Sequence, residues 1–74
     1  MILAHTLKEI THLNHAQLGR LMETRFVAKS EKFLGMTNGG EFCYSVKFKD
    51  NEGTVRPTKV FVTVGKDGYF RATQ

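Results

Sequence analysis

The segment from Phe42 to Lys49 alternates strictly between two kinds of side chain. One set is apolar or aromatic: Phe42, Tyr44, Val46 and Phe48. The other set is polar, small or cationic: Cys43, Ser45, Lys47 and Lys49. Because successive side chains of a β-strand point to opposite faces, this period of two predicts a half-buried strand. The strand therefore requires a sheet with one face on the core and the other facing solvent or a partner.

Turn signals separate this strand from further extended segments. Residues 37–40 (Thr-Asn-Gly-Gly) precede it and residues 50–53 (Asp-Asn-Glu-Gly) follow it, and such residues accept turn conformations at low cost. A second strand is predicted between Thr54 and Val64, with Val60, Val62 and Val64 on one face. Pro57 cannot donate to a ladder, so that strand either begins after Pro57 or lies at an edge there.

The last strand and the region before Thr37 complete the predicted sheet. Residues 65–68 (Gly-Lys-Asp-Gly) predict a hairpin onto Tyr69–Ala72. Upstream, residues 25–28 and 33–36 look strand-like, and the polar residues 29–32 between them suggest a bulge or a bend. A short helix across residues 27–34 is the alternative interpretation.

The N-terminal third of the chain has the pattern of capped helices. Thr6 with Glu9, and Asn14 with Gln17, both have capping-box spacing. Leu18, Leu21 and Met22 then form an apolar stripe at helical spacing. Residues 7–23 are therefore predicted to form one helix, or two short helices broken near Asn14.

These elements predict a single compact α+β domain over residues 1–74. Its architecture is an N-terminal helix, or two short helices, packed on a three- to four-stranded antiparallel β meander. The single cysteine, Cys43, cannot form an intrachain disulfide. With no signal-peptide pattern and no apolar run of membrane-spanning length, we expect a cytoplasmic protein that does not contact membranes. Homodimerisation would be one way to stabilise so small a domain.

Catalysis and metal binding have weak support in the sequence. His12 and His15 are neighbours at helical spacing, but a metal needs further ligands, and His5 and Cys43 lie elsewhere in the chain. Cys43 with a histidine would be a nucleophile pair, yet a mid-strand position does not favour a thiolate. We therefore predict no enzyme activity, no cofactor and no metal.

The net charge of +4 favours acidic partners. If the lysine-bearing strand faces coincide, cations and aromatics share the outer side of the sheet. The candidate partner-binding residues are Lys47, Lys49, Lys59, Phe61, Tyr69 and Arg71. They predict a non-catalytic binding protein, a regulator or inhibitor, that occupies an acidic or polar surface of a protein partner.

Nucleic acid, DNA or RNA, is the alternative partner of the same face, because cations with interleaved aromatics also bind single strands. In addition, Leu13–Met22 resembles the first helix of repressor-type helix-turn-helix units, in which a polar cap precedes a Gln-Leu-x-x-Leu-Met run. That resemblance implies a winged variant with residues 30–36 in the DNA groove and the later hairpins as wings. The glycine turn expected after the first helix is absent from Glu23–Lys29.

Overall fold

The structure, a computed structural model, describes the backbone of residues 7–74 and the side chains of residues 9–74. Two helices precede four strands. They are α1 (Leu7–Ile10), α2 (His15–Met22), β1 (Lys32–Met36), β2 (Phe42–Lys49), β3 (Val55–Val64) and β4 (Phe70–Thr73). The strands form one antiparallel sheet in the order β1-β2-β3-β4. The predicted α+β fold with an antiparallel meander is confirmed.

The helical region divides at Asn14, as one of the two sequence interpretations required. The amide of Gln17 donates to Asn14 Oδ1, and the amide of Asn14 donates to Gln17 Oε1, both at 2.9 Å. This reciprocal pair satisfies two amides that a helix start leaves without partners. The predicted capping box between Thr6 and Glu9 lies outside the described residues.

The end of α2 is a tight reversal that depends on Gly19. Glu23 follows the helix in the left-handed conformation (φ 56°), and the amide of Thr24 donates to the Gly19 carbonyl at 2.9 Å. This bond from the second residue beyond the helix to the fourth-last residue of the helix is the Schellman arrangement. It turns the chain back so that Phe26 reaches the core.

Replacing Glu23 with glycine should raise the free energy of unfolding by about 0.5–1 kcal/mol, because glycine adopts a positive φ without the steric penalty of a Cβ. Chemical denaturation measures the change. Glu23→Ala is the control, since it removes the same carboxylate and keeps the Cβ. Equal stabilities of the glycine and alanine variants would contradict the left-handed conformation of Glu23.

The segment between α2 and β1 is extended and then turns, so the alternative of a helix across residues 27–34 is wrong. Phe26 forms a bridge with Phe48, and the Val27 amide donates to the Lys47 carbonyl at 2.8 Å. A turn at Lys29 (φ 60°) supplies the predicted bend. The register with β2 shifts between Phe33 and Gly35, so the bulge lies inside β1 instead.

The predicted turns and the position of Pro57 agree with the structure. The turn after β2 is held by Asp50, whose Oδ1 accepts from the amides of Glu52 and Thr54. β4 pairs with β3 only from Phe61 to Val64, so Pro57 lies where β3 is an edge. A residue without an amide proton is tolerated there because no neighbouring strand needs it.

The core lies between the helices and one face of the sheet. It contains Ile10, Leu13 and Leu18 from the helical region, Phe26, and from the strands Tyr44, Val46, Val60, Val62 and Phe70. Phe42 and Phe48 pack against this cluster and remain half-buried. The inward orientation predicted for Phe42, Tyr44, Val46 and Phe48 is confirmed.

Candidate functional site: the outer face of the sheet

The face of the sheet turned away from the helices, here called the outer face, has no described helix over it. Its β2 residues are Cys43, Ser45, Lys47 and Lys49, which pair in register with Phe61, Lys59, Pro57 and Val55 of β3. Directly paired residues of antiparallel strands place their side chains on the same face. Because Tyr44, Val46, Val60 and Val62 point into the core, the intervening residues point outward.

Four exposed lysines surround Ser45 on this face. Lys32 of β1 and Lys59 of β3 are the two register partners of Ser45, one on each side. Lys47 and Lys49 follow Ser45 along β2. Paired Cβ atoms lie about 5 Å apart, so this lysine cluster (Lys32, Lys47, Lys49 and Lys59) spans three adjacent strands. All four side chains are exposed.

The lysine cluster has no acidic neighbour in the sheet. None of the four strands contains an aspartate or a glutamate. Within residues 9–74, the ion pairs join Arg56 to Asp50 and Arg71 to Asp67, and Glu31 lies near His15. None of these contacts includes a lysine of the cluster. Like charges on neighbouring strands repel one another, so an acidic group placed on this face would be attracted.

Two acidic residues next to the sheet, Asp50 and Asp67, are engaged in its turns. The Arg56 side chain, together with the Thr54 amide, holds the pKa of Asp50 below its usual range. The Tyr69 amide and then the Arg71 guanidinium likewise lower the pKa of Asp67. Hydrogen bonds to a carboxylate favour its charged form. These carboxylates partner arginines and amides, which leaves the lysine cluster without them.

The structure brings together only part of the predicted site. Lys47, Lys49 and Lys59 lie in the lysine cluster, and Phe61 follows Lys59 two residues along β3 on the same face. Arg71 pairs with Thr63 of β3, about 13 Å along the strand from Lys59. The predicted set therefore divides into a central group and a distant end.

At that distant end Arg71 contacts Asp67 in the preceding turn, and Tyr69 lies beside this pair. Arg71 Nη2 donates to Asp67 Oδ2 at 2.8 Å, so its charge is locally balanced. Tyr69 precedes β4 beside this pair and keeps 37% of its surface exposed. Neither residue lies beside the lysine cluster.

Lys32 belongs to the lysine cluster, although the sequence analysis did not include it. Its place on the outer face depends on the pairing of β1 with β2, and the bulge between Phe33 and Gly35 shifts that pairing. A one-residue shift reverses which side chains face outward. The only sequence feature that could have indicated this position is the positive charge of Lys32 next to the strand-like residues 33–36.

Phe61 lies in the middle row of the outer face. Its register partner is Cys43, which is itself paired with Gly35 on β1. Cys43 is buried and Phe61 is half-buried, so this row is apolar and closely packed. The outer face thus combines an apolar row with the lysine cluster beside it.

The residues considered for catalysis do not converge. His15 lies in α2 and His12 between the two helices, on the helix side of the sheet, whereas Cys43 points to the outer face. Cys43 and these two histidines therefore lie on different sides of the sheet, and His5 lies outside the described residues. Among residues 9–74, no group of three or more His, Cys, Asp or Glu residues is arranged to hold a metal ion.

The winged helix-turn-helix hypothesis lacks its recognition helix. Residues 32–36, which that arrangement would place in the DNA groove, form strand β1. The segment joining α2 to β1 contains the turn at Lys29 and no helix. The resemblance of Leu13–Met22 therefore reflects a capped amphipathic helix alone.

In the part of the chain that the structure describes, no helix has the length and apolar character required to cross a membrane.

No protein-family model matches this sequence, and no curated protein or solved structure gives a significant match.

Proposed function

We propose that this chain is a non-catalytic binding protein whose outer sheet face docks on an acidic surface of a protein partner. A regulator or inhibitor that acts by covering its partner's surface would work in this way. The observation that carries the proposal is the lysine cluster, four exposed cations on three adjacent strands that contain no carboxylate.

The distribution of charge supports an intermolecular role for these lysines. The chain has seven acidic residues, yet all of them lie outside the strands. Lysines that served solubility alone would gain from acidic neighbours at cross-strand positions, which lower the repulsion between them. An acidic partner would supply the missing opposite charge and set the orientation of docking.

The aromatic residues favour a protein partner over a single-stranded nucleic acid. A stacking platform needs exposed rings beside the cations. Phe61 is half-buried in its row with Cys43, and Tyr69 is far from the lysine cluster. A partly buried phenylalanine beside lysines suits instead the apolar centre of a protein contact, surrounded by polar groups.

Reversing two charges of the cluster should weaken binding to an acidic polypeptide. We expect Lys47→Glu with Lys59→Glu to lower the affinity for poly-L-glutamate by at least about tenfold, because attraction becomes repulsion at the centre of the face. Both side chains are exposed, so the free energy of unfolding should change by less than about 0.5 kcal/mol. Fluorescence titration measures affinity, and urea denaturation measures stability.

The matched control is Arg20→Glu with Lys66→Glu, which changes the net charge equally on α2 and in the β3–β4 turn. Equal weakening by both double variants would show that net charge, not the outer face, determines binding. Single-stranded and double-stranded oligonucleotides provide the second comparison, at two salt concentrations. A tighter complex with an oligonucleotide, with a steep loss of affinity in salt, would replace the protein partner by nucleic acid.

A further inference from the structure

β1 forms an open edge of the sheet. β1 pairs with β2 on one side only, and within the described residues no chain segment pairs with its other side. Beyond β1, the free side of β2 is covered, because the Val27 amide donates to the Lys47 carbonyl and the Lys47 backbone amide donates to Ser30 Oγ. On this side of the sheet, the unpaired strand backbone is therefore confined to Lys32–Met36.

This edge is also unusually apolar for an exposed strand. Phe33, Leu34 and Met36 have 37%, 48% and 64% of their surface exposed. β4, at the opposite edge, buries Phe70 and exposes only Arg71 and Thr73. Edge strands normally carry charges or proline that oppose pairing with another chain. β1 has no proline and only Lys32 as a charged residue.

The two sides of β1 differ in chemistry. Phe33 and Met36 pair with Tyr44 and Phe42 and so share the face that holds the core; the Phe33 ring centroid lies 5.3 Å from that of Tyr44. Lys32 pairs with Ser45 and belongs to the lysine cluster on the outer face. A strand added at this edge would place alternate side chains beside these two surfaces.

We propose that the β1 edge binds an extended segment of a partner protein in which acidic and apolar residues alternate. Its backbone would pair with the free side of β1. Its apolar side chains would lie beside Phe33 and Met36, and its acidic side chains beside Lys32. This edge is a different surface from the centre of the outer face, and its binding depends on backbone hydrogen bonds that docking on the face does not need.

Charge decides between such a segment and a second copy of the chain. β1 of a second copy would bring another lysine to this edge and no carboxylate within the strand. The neighbouring Glu31 is directed at His15, with its Oε2 3.7 Å from Nδ1. β1 of a second copy therefore offers Lys32 another lysine and no carboxylate, whereas an acidic segment supplies a carboxylate.

The experiment uses the full chain and a capped peptide of alternating glutamate and valine, about seven residues long. We expect this peptide to bind at least about tenfold more tightly than the same peptide with N-methyl groups on the alternate amides facing β1, because methylation removes the donors. Lys32→Glu should reverse the preference between this peptide and a lysine–valine peptide. Lys66→Glu, in the β3–β4 turn, is the matched control and should not reverse it.

Equal affinity for the methylated and unmethylated peptides would overturn the proposal, and so would an unchanged preference in Lys32→Glu. Concentration-dependent dimerisation in sedimentation experiments that Met36→Lys abolishes would also overturn it, by assigning the edge to a second copy. Lys47→Glu with Lys59→Glu should leave the sensitivity to methylation intact. Failure at the edge and failure of the outer face are therefore distinguishable.

Discussion

Replacing Tyr44 with phenylalanine should lower the free energy of unfolding by about 2–3 kcal/mol, although it removes only one oxygen atom. The Tyr44 side chain is 1% exposed, and its hydroxyl donates to the Ile10 carbonyl and accepts from the Leu13 amide at 3.1 Å. Without the hydroxyl, a buried acceptor and a buried donor lose their partner. The whole domain has a stability of about 4–11 kcal/mol on the usual scale per residue, so the loss is a large part of the total.

Tyr69→Phe is the matched control, because the Tyr69 side chain is partly exposed to solvent. Its effect should stay within about 0.5 kcal/mol. Guanidinium denaturation of both variants gives the comparison. Equal, small changes would mean that Tyr44 does not connect the sheet to the junction between α1 and α2.

Because of this hydroxyl, we expect the stabilities of wild type and Tyr44→Phe to change differently at high pH. Burial raises the pKa of Tyr44 above its ordinary value of 10.0, and the Leu13 amide only partly opposes this. The unfolded chain therefore ionises Tyr44 first as the pH rises. The contribution of the neutral Tyr44 side chain to stability is complete below pH 10 and is lost as the pH increases through the raised pKa. This part of the alkaline loss should be absent from Tyr44→Phe.

Replacing Gly19 with alanine should lower the free energy of unfolding by about 1 kcal/mol. A Cβ at position 19 would lie 2.6 Å from the Thr24 carbonyl oxygen, which is a backbone atom with little freedom to move. Alanine gains about 1 kcal/mol over glycine in helix propensity, but crowding in a packed site costs about 1–3 kcal/mol and shifts the backbone. We expect crowding to be the larger effect, because the Thr24 amide bonds back to Gly19.

Gly39→Ala is the control for this substitution, since a Cβ there meets no atom closer than 3.8 Å. It should change stability by less than about 0.5 kcal/mol. Thermal or urea unfolding distinguishes the two variants. A Gly19→Ala protein that is more stable than wild type would show that helix propensity outweighs the contact with Thr24.

The parts of the fold that the sequence predicted are those determined by local patterns. The alternation from Phe42 to Lys49 and the reciprocal cap of Asn14 and Gln17 each depend on residues close in the chain. The bulge in β1 and the close approach of the Thr24 carbonyl to Gly19 depend instead on packing between distant parts of the chain. No local pattern in the sequence encodes the hydrogen bonds of Tyr44 to residues more than thirty positions away.

The candidate site was predictable to the extent that strand register was predictable. Alternation alone placed Lys47, Lys49, Lys59 and Phe61 on the outward face of their strands. The inclusion of Lys32 required the bulged pairing of β1 with β2. The engagement of Arg71 with Asp67 is a contact across a turn that composition does not reveal.

The most direct test of the central claim, that the outer face is the binding surface, is an amide chemical-shift map of the ¹⁵N-labelled protein titrated with poly-L-glutamate. We expect the shifts to concentrate in β2 and β3 around Ser45, including Lys47, Lys59 and Phe61, and to be lost in Lys47→Glu with Lys59→Glu. Shifts concentrated on α2, or a map that the double variant leaves unchanged, would contradict the assignment of binding to the outer face.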